Sequence, residues 1–315
     1  MSTEGISVII PTFNRNNYLI RIIKILNKQN KSDKNFEIII IDSKYCNFLN
    51  IIKFPNVKYF RIVSNSNAKK RNFGIKKAKF NNLIFLDDDC FPGPNFLNIY
   101  KKIFKKINSK EIVCGSVIYD AQDIKKNNYL KLRAKQHFVL ESKVEFDKLK
   151  TLLPANIVTM NMGLKLNKNQ SYFDNRFGNY GFEDFEFAYR FIKNGYKFYQ
   201  AVPLVIHKDN RNYIKYFNKF YFLGNKSTEI FKKINIEAFR SSNYFRIENS
   251  FFYIFIKNSF VFKQLIKLLL VFIKEIFRFK FIQNQSVLKM GIIIYYIYGL
   301  LNINNRKNLE FYDNN

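Results

Sequence analysis

Unbroken apolar runs and helix-spaced segments alternate through the first ninety residues. ISVIIPT (6–12) is an apolar run closed by Pro11 and Thr12 and followed by a polar turn, which predicts a buried strand. Residues 16–29 then place Leu19, Ile22, Ile23 and Leu26 at helical spacing. FEIIIID (36–42) predicts a second buried strand ending at Asp42, and VKYFRIV (57–63) a third. A helix follows over about 67–80 with Ala68, Ile75 and Ala78 on one face, and LIFL (83–86) runs straight into Asp87, Asp88 and Asp89. Continuous rather than alternating apolar runs, with helices between them, predict a largely parallel sheet covered on both faces. In such sheets ligands bind beyond the carboxyl ends of the strands. The turn at 11–15, Asp42 and the triple aspartate all lie at such ends.

Further along, residues 120–155 read as irregular and polar, with a short helix expected near 128–140. IVTMNMGLKL (157–166) predicts another strand. Residues 183–194 predict a helix capped by Gly195, with Phe187, Ala188, Phe191 and Ile192 as its apolar stripe. Glu183 and Asp184 stand in its first turn, where the helix dipole favours negative charge. Glu186 and Arg190, four apart, read as a helix-surface pair. AVPLVIHK (201–208) is a short apolar run ending in His207.

Beyond 210 the pattern becomes helical and basic. Lys263, Lys267, Lys274 and Arg278 fall on one helical stripe, and Leu265, Ile266, Leu269, Phe272, Ile273 and Ile276 cover much of the rest. Lysines interrupt the apolar run, so the pattern is interfacial rather than spanning. The uncharged run 290–301 is too short to span comfortably. The expected organisation is an α/β domain over 1–210 and a helical region over 211–315 that either meets a membrane surface or packs on the domain.

Charge sharpens this picture. Lys and Arg total 53 against 24 acidic residues, a formal net charge of +29 that implies an anionic partner. Residues 211–315 carry 17 basic and 6 acidic side chains, net +11, which leaves +18 for the first 210. The charge is spread along the chain, and no zinc-finger, RNP-type or helix-turn-helix pattern accompanies it. No nucleic-acid partner is therefore expected, and an anionic membrane surface is. The 36 Phe and 20 Tyr, with abundant Lys and Asn, share A/T-rich codons, so codon bias alone accounts for them. Cys46, Cys90 and Cys114 are odd in number and lack metal-ligand spacing, which suggests a reducing, cytoplasmic setting. MSTEGISVII has no basic region ahead of a short apolar run, so export is not expected.

Three adjacent carboxylates repel one another unless solvent or a cation screens them. A solvated turn is the plain reading; a hard divalent cation, which prefers carboxylate oxygens, is the sharper one. The convergence of strand ends favours a site.

With these residues placed, the chain resembles a family 2 glycosyltransferase of the GT-A fold. SVIIPTFNR, AKKRNFGIKKA, IFLDDDCFPGP, NMGLK and GNYGFEDFEFAYRF occur in that family's order and at roughly its spacing, over about 6–208. The segment 173–207 more specifically resembles the galactosyltransferase-like C-terminal motif of chondroitin-polymerase-type enzymes. The resemblance implies a Rossmann-like, mostly parallel sheet flanked by helices. It implies transfer of a hexose or N-acetylhexosamine from a nucleotide sugar to a saccharide or lipid-linked acceptor in bacterial surface polysaccharide synthesis. Asp89 matches the direct ligand of Mn2+ or Mg2+, and His207 the late histidine that completes the metal shell. Asp87 matches the partner of the ribose or of metal-bound water, and Asp88, Pro11, Thr12, Asp42 and Arg71 fall on the nucleotide-sugar side. Lys69 and Lys70, beside Arg71, are expected to face solvent. Asp184 matches the general base and Glu183 a ligand of the acceptor hydroxyl. The family commonly has a second acid after strand two, which reads the uracil edge; this chain has Ser43 there, so UDP is favoured, with dTDP or another nucleotide as the alternative.

An Asp-x-Asp after a strand also marks phosphatases of the haloacid-dehalogenase type. Those want Thr or Val two residues after the second Asp, and here Phe91 stands there with Pro92 behind it. A non-catalytic, basic membrane-surface or RNA-binding protein on a degenerate transferase fold is the third reading; intact Asp89, Asp184 and His207 argue against decay.

Overall fold

The computed structural model describes residues 5–29, 35–44, 54–126, 130–131, 134, 146–178, 181–208, 213–278 and 285–302. The chain divides into two units, Met1–Gly178 with Glu183–Asp209, and Asn179–Phe182 with Asn210–Asn315.

The first unit is built on a sheet of β1 (Ile6–Thr12), β2 (Phe36–Asp42), β3 (Val57–Arg61), β4 (Asn82–Leu86), β5 (Cys90–Pro92), β6 (Glu111–Tyr119), β7 (Phe146–Thr151), β8 (Asn161–Lys165) and β9 (Lys197–His207). Their order is β3-β2-β1-β4-β8-β6-β9-β5, with β7 also on β9. β3, β2, β1 and β4 pair in parallel, β8 runs against both β4 and β6, and β6 pairs in parallel with β9. Six of the nine strands thus point one way, as the apolar runs predict.

Helices cover both faces. α1 (Asn16–Gln29) and α3 (Phe96–Lys106) pack on the side of Val8, Ile10, Ile38 and Ile40. α2 (Asn67–Lys77) lies on the other side, where Gly74 lets it close on Ile9 and Ile41; a methyl group there would overlap the Ile9 side chain. Phe85 carries that face on to Phe173 and then Phe187 of α5 (Glu183–Lys193). β1 and β2 are buried at every position, which is why neither shows an alternating pattern.

The pattern left β5, α3 and β6 unpredicted. The strand expected at 157–166 is confined to β8, and the one expected at 201–208 starts earlier, at Lys197. The segment expected to be irregular contains α4 (Ala121–Lys126) and β7. The short helix expected near 128–140 lies largely outside the described residues.

The second unit is helical: α6 (Tyr213–Phe222), a π turn (Leu223–Ser227), α7 (Thr228–Ile234), α8 (Ile236–Arg240), α9 (Asn243–Glu248), α10 (Phe251–Asn258), α11 (Phe260–Arg278) and α12 (Gln285–Leu301). The uncharged run of α12 forms its core, burying Ile294, Tyr296, Ile297 and Leu300. Close approach of backbones explains two glycines: a methyl group at Gly299 would overlap the Tyr221 carbonyl oxygen, and one at Gly224 the Tyr296 carbonyl oxygen. The π turn sits at that crossing, where its wider winding accommodates the neighbour. Among the described residues no helix is long and apolar enough to cross a membrane.

Candidate active site

Sheet register brings the first pair of candidates together. β5 leaves the aspartate turn and pairs antiparallel with β9, setting Cys90 opposite His207. Asp89 is thereby carried to the imidazole: its Oδ2 lies 3.3 Å from His207 Nε2. The turn itself is closed by the Cys90 amide donating to the Asp87 carbonyl and the Asp87 amide to that of Met160. Neighbouring ligands of an octahedral ion bound at ~2.1 Å stand about 3 Å apart, so this oxygen and nitrogen suit one divalent cation. Among the described residues, Asp89, Cys90 and His207 form the one group of three side chains able to share a metal. The Cys90 thiol, 3.8 Å from Asp89 Oδ1, was not foreseen. Burial, followed by the neighbouring aspartates, pushes it well above its ordinary pKa, which leaves a neutral thiol poorly suited to a hard cation.

Arg15, the last residue of the SVIIPTFNR run, also reaches this turn. Its Nη1 donates to Asp88 Oδ1 at 2.9 Å and to Asp89 Oδ2. Burial works to raise the pKa of Asp89, but the hydrogen bond and charge of His207, together with Arg15, hold it below the usual carboxylate range. Asp88 is pushed the other way, up to about 7, by burial above all, with Arg15 and the Thr12 hydroxyl opposing. Thr12, at the end of β1, donates through Oγ1 to Asp88 Oδ2 at 2.7 Å.

Asp42 ends β2 wholly buried and accepts from the Lys44 amide at 2.9 Å and the Tyr59 hydroxyl at 3.1 Å. Beside it, the Ser43 hydroxyl oxygen is buried without a hydrogen-bond partner. Lys70 departs from expectation. It is 2% exposed, and its ammonium donates to the Thr12 carbonyl at 2.7 Å. Burial lowers its pKa to about 8, with Asp42 and Asp88 pulling it back up. A helix-face pattern cannot show that α2 starts against the end of β1.

Arg71 joins two carboxylate groups that lie about a hundred residues apart in the chain. Nη2 donates to Asp87 Oδ1 at 3.0 Å, and Nη1 lies 3.4 Å from Asp184 Oδ1 and 3.6 Å from Glu183 Oε1. The side chain is 2% exposed and lies over the Phe173 ring. Burial disfavours its charge, but Asp184, Asp87 and Glu183 more than restore it and raise its pKa. Asn72, next in the motif, exchanges hydrogen bonds with the Phe173 backbone and so fixes the loop ahead of α5.

Asp184 has a second holder that the sequence did not reveal. Thr159, fully buried just before β8, donates its hydroxyl to Asp184 Oδ1 at 2.8 Å and its amide to Oδ2 at 3.2 Å. Immediately upstream of the acid pair, Gly181 and Phe182 have φ of 101° and 70°, left-handed backbone that is rare for a bulky side chain. Phe182 is kept there within the second unit by stacking on Phe231 and an edge contact with Tyr244. The pair read as a surface feature proves otherwise: Glu186 is buried, and Arg190 binds it at 2.8 Å while donating to the Ser171 and Tyr172 carbonyls. Arg190 thus clamps the loop before α5.

The family model described as Glycosyl transferase family 2 matches residues 7–166. Over 225 residues the chain is 26% identical to a "Dolichyl N-acetyl-alpha-D-glucosaminyl phosphate 3-beta-D-2,3-diacetamido-2,3-dideoxy-beta-D-glucuronosyltransferase" of Methanococcus voltae, covering 68% of this chain and 70% of that one. It is 26% identical to the "Chondroitin synthase" of Escherichia coli over 226 residues, covering 61% of this chain and 33% of that one. It is 34% identical over 108 residues to an "Uncharacterized glycosyltransferase" of Rickettsia bellii, covering 33% of this chain and 15% of that one. The chain thus spans only a minor part of the Escherichia and Rickettsia relatives.

Proposed function

We propose that this chain, which belongs to glycosyl transferase family 2, moves a hexose or N-acetylhexosamine from a UDP-linked donor to a saccharide or lipid-linked saccharide by a single inverting displacement. The observation that carries the reading is the link through Arg71 between the aspartate turn and the Glu183–Asp184 pair. Donor-side and acceptor-side carboxylates then share one site.

In this reading Pro11, Thr12, Asp42, Arg71, Asp87 and Asp88 form the nucleotide-sugar side. Asp89 and His207 hold Mn2+ or Mg2+, and such an ion supplies neutralisation of the charge developing on the departing diphosphate. Asp184 accepts the proton of the acceptor hydroxyl, whose oxygen attacks the anomeric carbon opposite the leaving group. The new C–O bond forms as the bond to the diphosphate breaks, and UDP leaves with that electron pair. Glu183 positions the acceptor hydroxyl. A lipid-linked or polysaccharide acceptor is supported by the activities for which the archaeal and Escherichia relatives are named. A role in bacterial surface polysaccharide synthesis, on the cytoplasmic face of an inner membrane with an anionic surface as partner, completes the reading.

The test is a panel of sugar nucleotides, followed by hydrolysis and thermal stabilisation with Mn2+. One or two UDP-sugars should be cleaved and should raise the melting temperature. EDTA and Asp89→Asn should each abolish the metal-dependent signal. Undiminished turnover in EDTA would remove Asp89 and His207 from the mechanism.

A further inference from the structure

Ten of the sixteen exposed large hydrophobic side chains among the described residues fall between 251 and 272, within α10 and α11. Phe251 is 83% exposed, Phe260 74%, Val261 70% and Leu268 66%. Apolar exposure gathered on two consecutive helices in this way marks an interaction surface rather than scattered surface residues.

Both helices already have an inner face. Tyr253 and Ile256 of α10 and Ile266 and Ile273 of α11 are buried in the helical unit. The exposed residues belong to a second apolar face that the unit does not use. On α11, Val261, Leu265, Leu268 and Phe272 follow one another at spacings of 4, 3 and 4, a single helical stripe. Phe251 stacks on Phe255 at 6.0 Å, and Phe255 meets Phe262 at 4.6 Å, which joins the outward surfaces of the two helices. Lys263, Lys267 and Lys274 are exposed along one border of the α11 arc, and Lys257 is exposed on α10. Across 251–278 there are five basic residues and one acidic, Glu275.

We infer that the outer faces of α10 and α11 lie in the interfacial region of an anionic bilayer, with the apolar stripe among the upper acyl chains and the lysines at the phosphate level. An apolar stripe edged by lysines is what that interface selects, since long lysine stems reach from buried backbone to headgroups. Spanning is excluded for these helices by their length and charge. The inference deepens the membrane partner named under the proposed function and gives it a surface on the protein.

The experiment is flotation of the full chain with vesicles of phosphatidylglycerol and phosphatidylcholine, and with phosphatidylcholine alone. Wild-type protein should partition at least ~10-fold better onto the anionic vesicles. Leu268→Asp with Phe272→Asp, both at exposed positions, should reduce that binding by roughly tenfold or more. Lys263→Gln, Lys267→Gln and Lys274→Gln together should reduce the preference for anionic lipid. Hydrolysis of a UDP-sugar in vesicle-free solution should be unchanged in both variants, which reports separately on folding and on the donor reading. Equal flotation of the double Asp variant would overturn the inference. So would a wild type that ignores vesicles yet forms a dimer that the Asp substitutions dissociate; the face would then join two copies.

Discussion

In the first unit the buried side chains include Glu37, Asp42, Lys70, Arg71, Asp88, Glu111, Glu183, Glu186 and His207; in the second, the buried polar side chains among the described residues are the neutral Asn225, Ser227, Thr228 and Ser242. Exposure runs the opposite way. Thirteen of the sixteen exposed large hydrophobics belong to the second unit. A buried charge costs several kcal/mol unless paired, and an exposed apolar face forgoes the burial that stabilises folds. Each unit therefore keeps a different unfavourable feature, and the buried charges of the first unit divide by location. Glu37 and Glu111 sit at the amino ends of β2 and β6, tied to Lys58 and Lys148. Asp42, Asp88 and His207 sit at carboxyl ends, where partners from several strands converge. Within the second unit, α12 buries its apolar run while α11 exposes half of its own, because lysines recur along α11 and are sparse on α12.

If this division of labour holds, damage to one unit leaves the other's readout intact. The largest effect is expected for Asp184→Asn, which keeps the shape but cannot accept a proton. Transfer should fall by roughly 10² to 10⁴, the usual worth of a general base, while vesicle flotation and donor-induced stabilisation persist. NMR of the wild-type product should show inverted anomeric configuration. Retention would reject single displacement and the role of Asp184 with it.

A smaller loss is expected for Thr159→Val, since Thr159 acts only through Asp184. The valine removes the hydroxyl donor to Oδ1 and keeps the amide bond to Oδ2. One lost charge-assisted hydrogen bond corresponds to about a tenfold effect. It should fall on kcat with KM little changed, and Thr159→Ser should restore most of it. A change in melting temperature with kcat unaltered would make Thr159 a structural residue.

Much of the first unit was legible because its strands are buried on both faces, so β1, β2 and β4 show as bare apolar runs bounded by polar turns. The acid pair and His207 were legible through motif order. The Cys90 thiol beside Asp89 and His207 was not, because its place there depends on the β5–β9 register across more than a hundred residues of chain. β6 escaped because Gly115 and Ser116 interrupt its run. The ladder shifts register there, and the Asn161 amide takes the space a Gly115 side chain would fill. Thr159 and Lys70 were hidden for a shared reason. Each polar group is satisfied by backbone or side chains far along the sequence, which neither helical nor strand periodicity records.

The smallest effect is expected at Lys70, a buried charge in the first unit whose protonation changes at an accessible pH. Its ammonium is held by the Thr12 carbonyl among Asp42, Asp88 and Arg71, and burial brings its pKa from 10.5 to about 8. Between those values the unfolded chain binds more protons than the native one. This group's contribution to stability therefore rises as pH climbs from about 8 towards 10.5, and its cost is fully present below 8. Donor binding should run the other way. An anionic nucleotide gains from the charged form, so UDP affinity measured by calorimetry with Mg2+ should fall about fivefold between pH 7 and 9.5, the worth of ~1 kcal/mol. Lys70→Met should bind UDP more weakly at pH 7, show little pH dependence above it, and melt no lower than wild type at neutral pH. Wild-type affinity that stays constant to pH 9.5 would place the Lys70 charge outside the donor site. Flotation with anionic vesicles should be the same for both proteins at pH 7, since nothing in the second unit depends on this lysine.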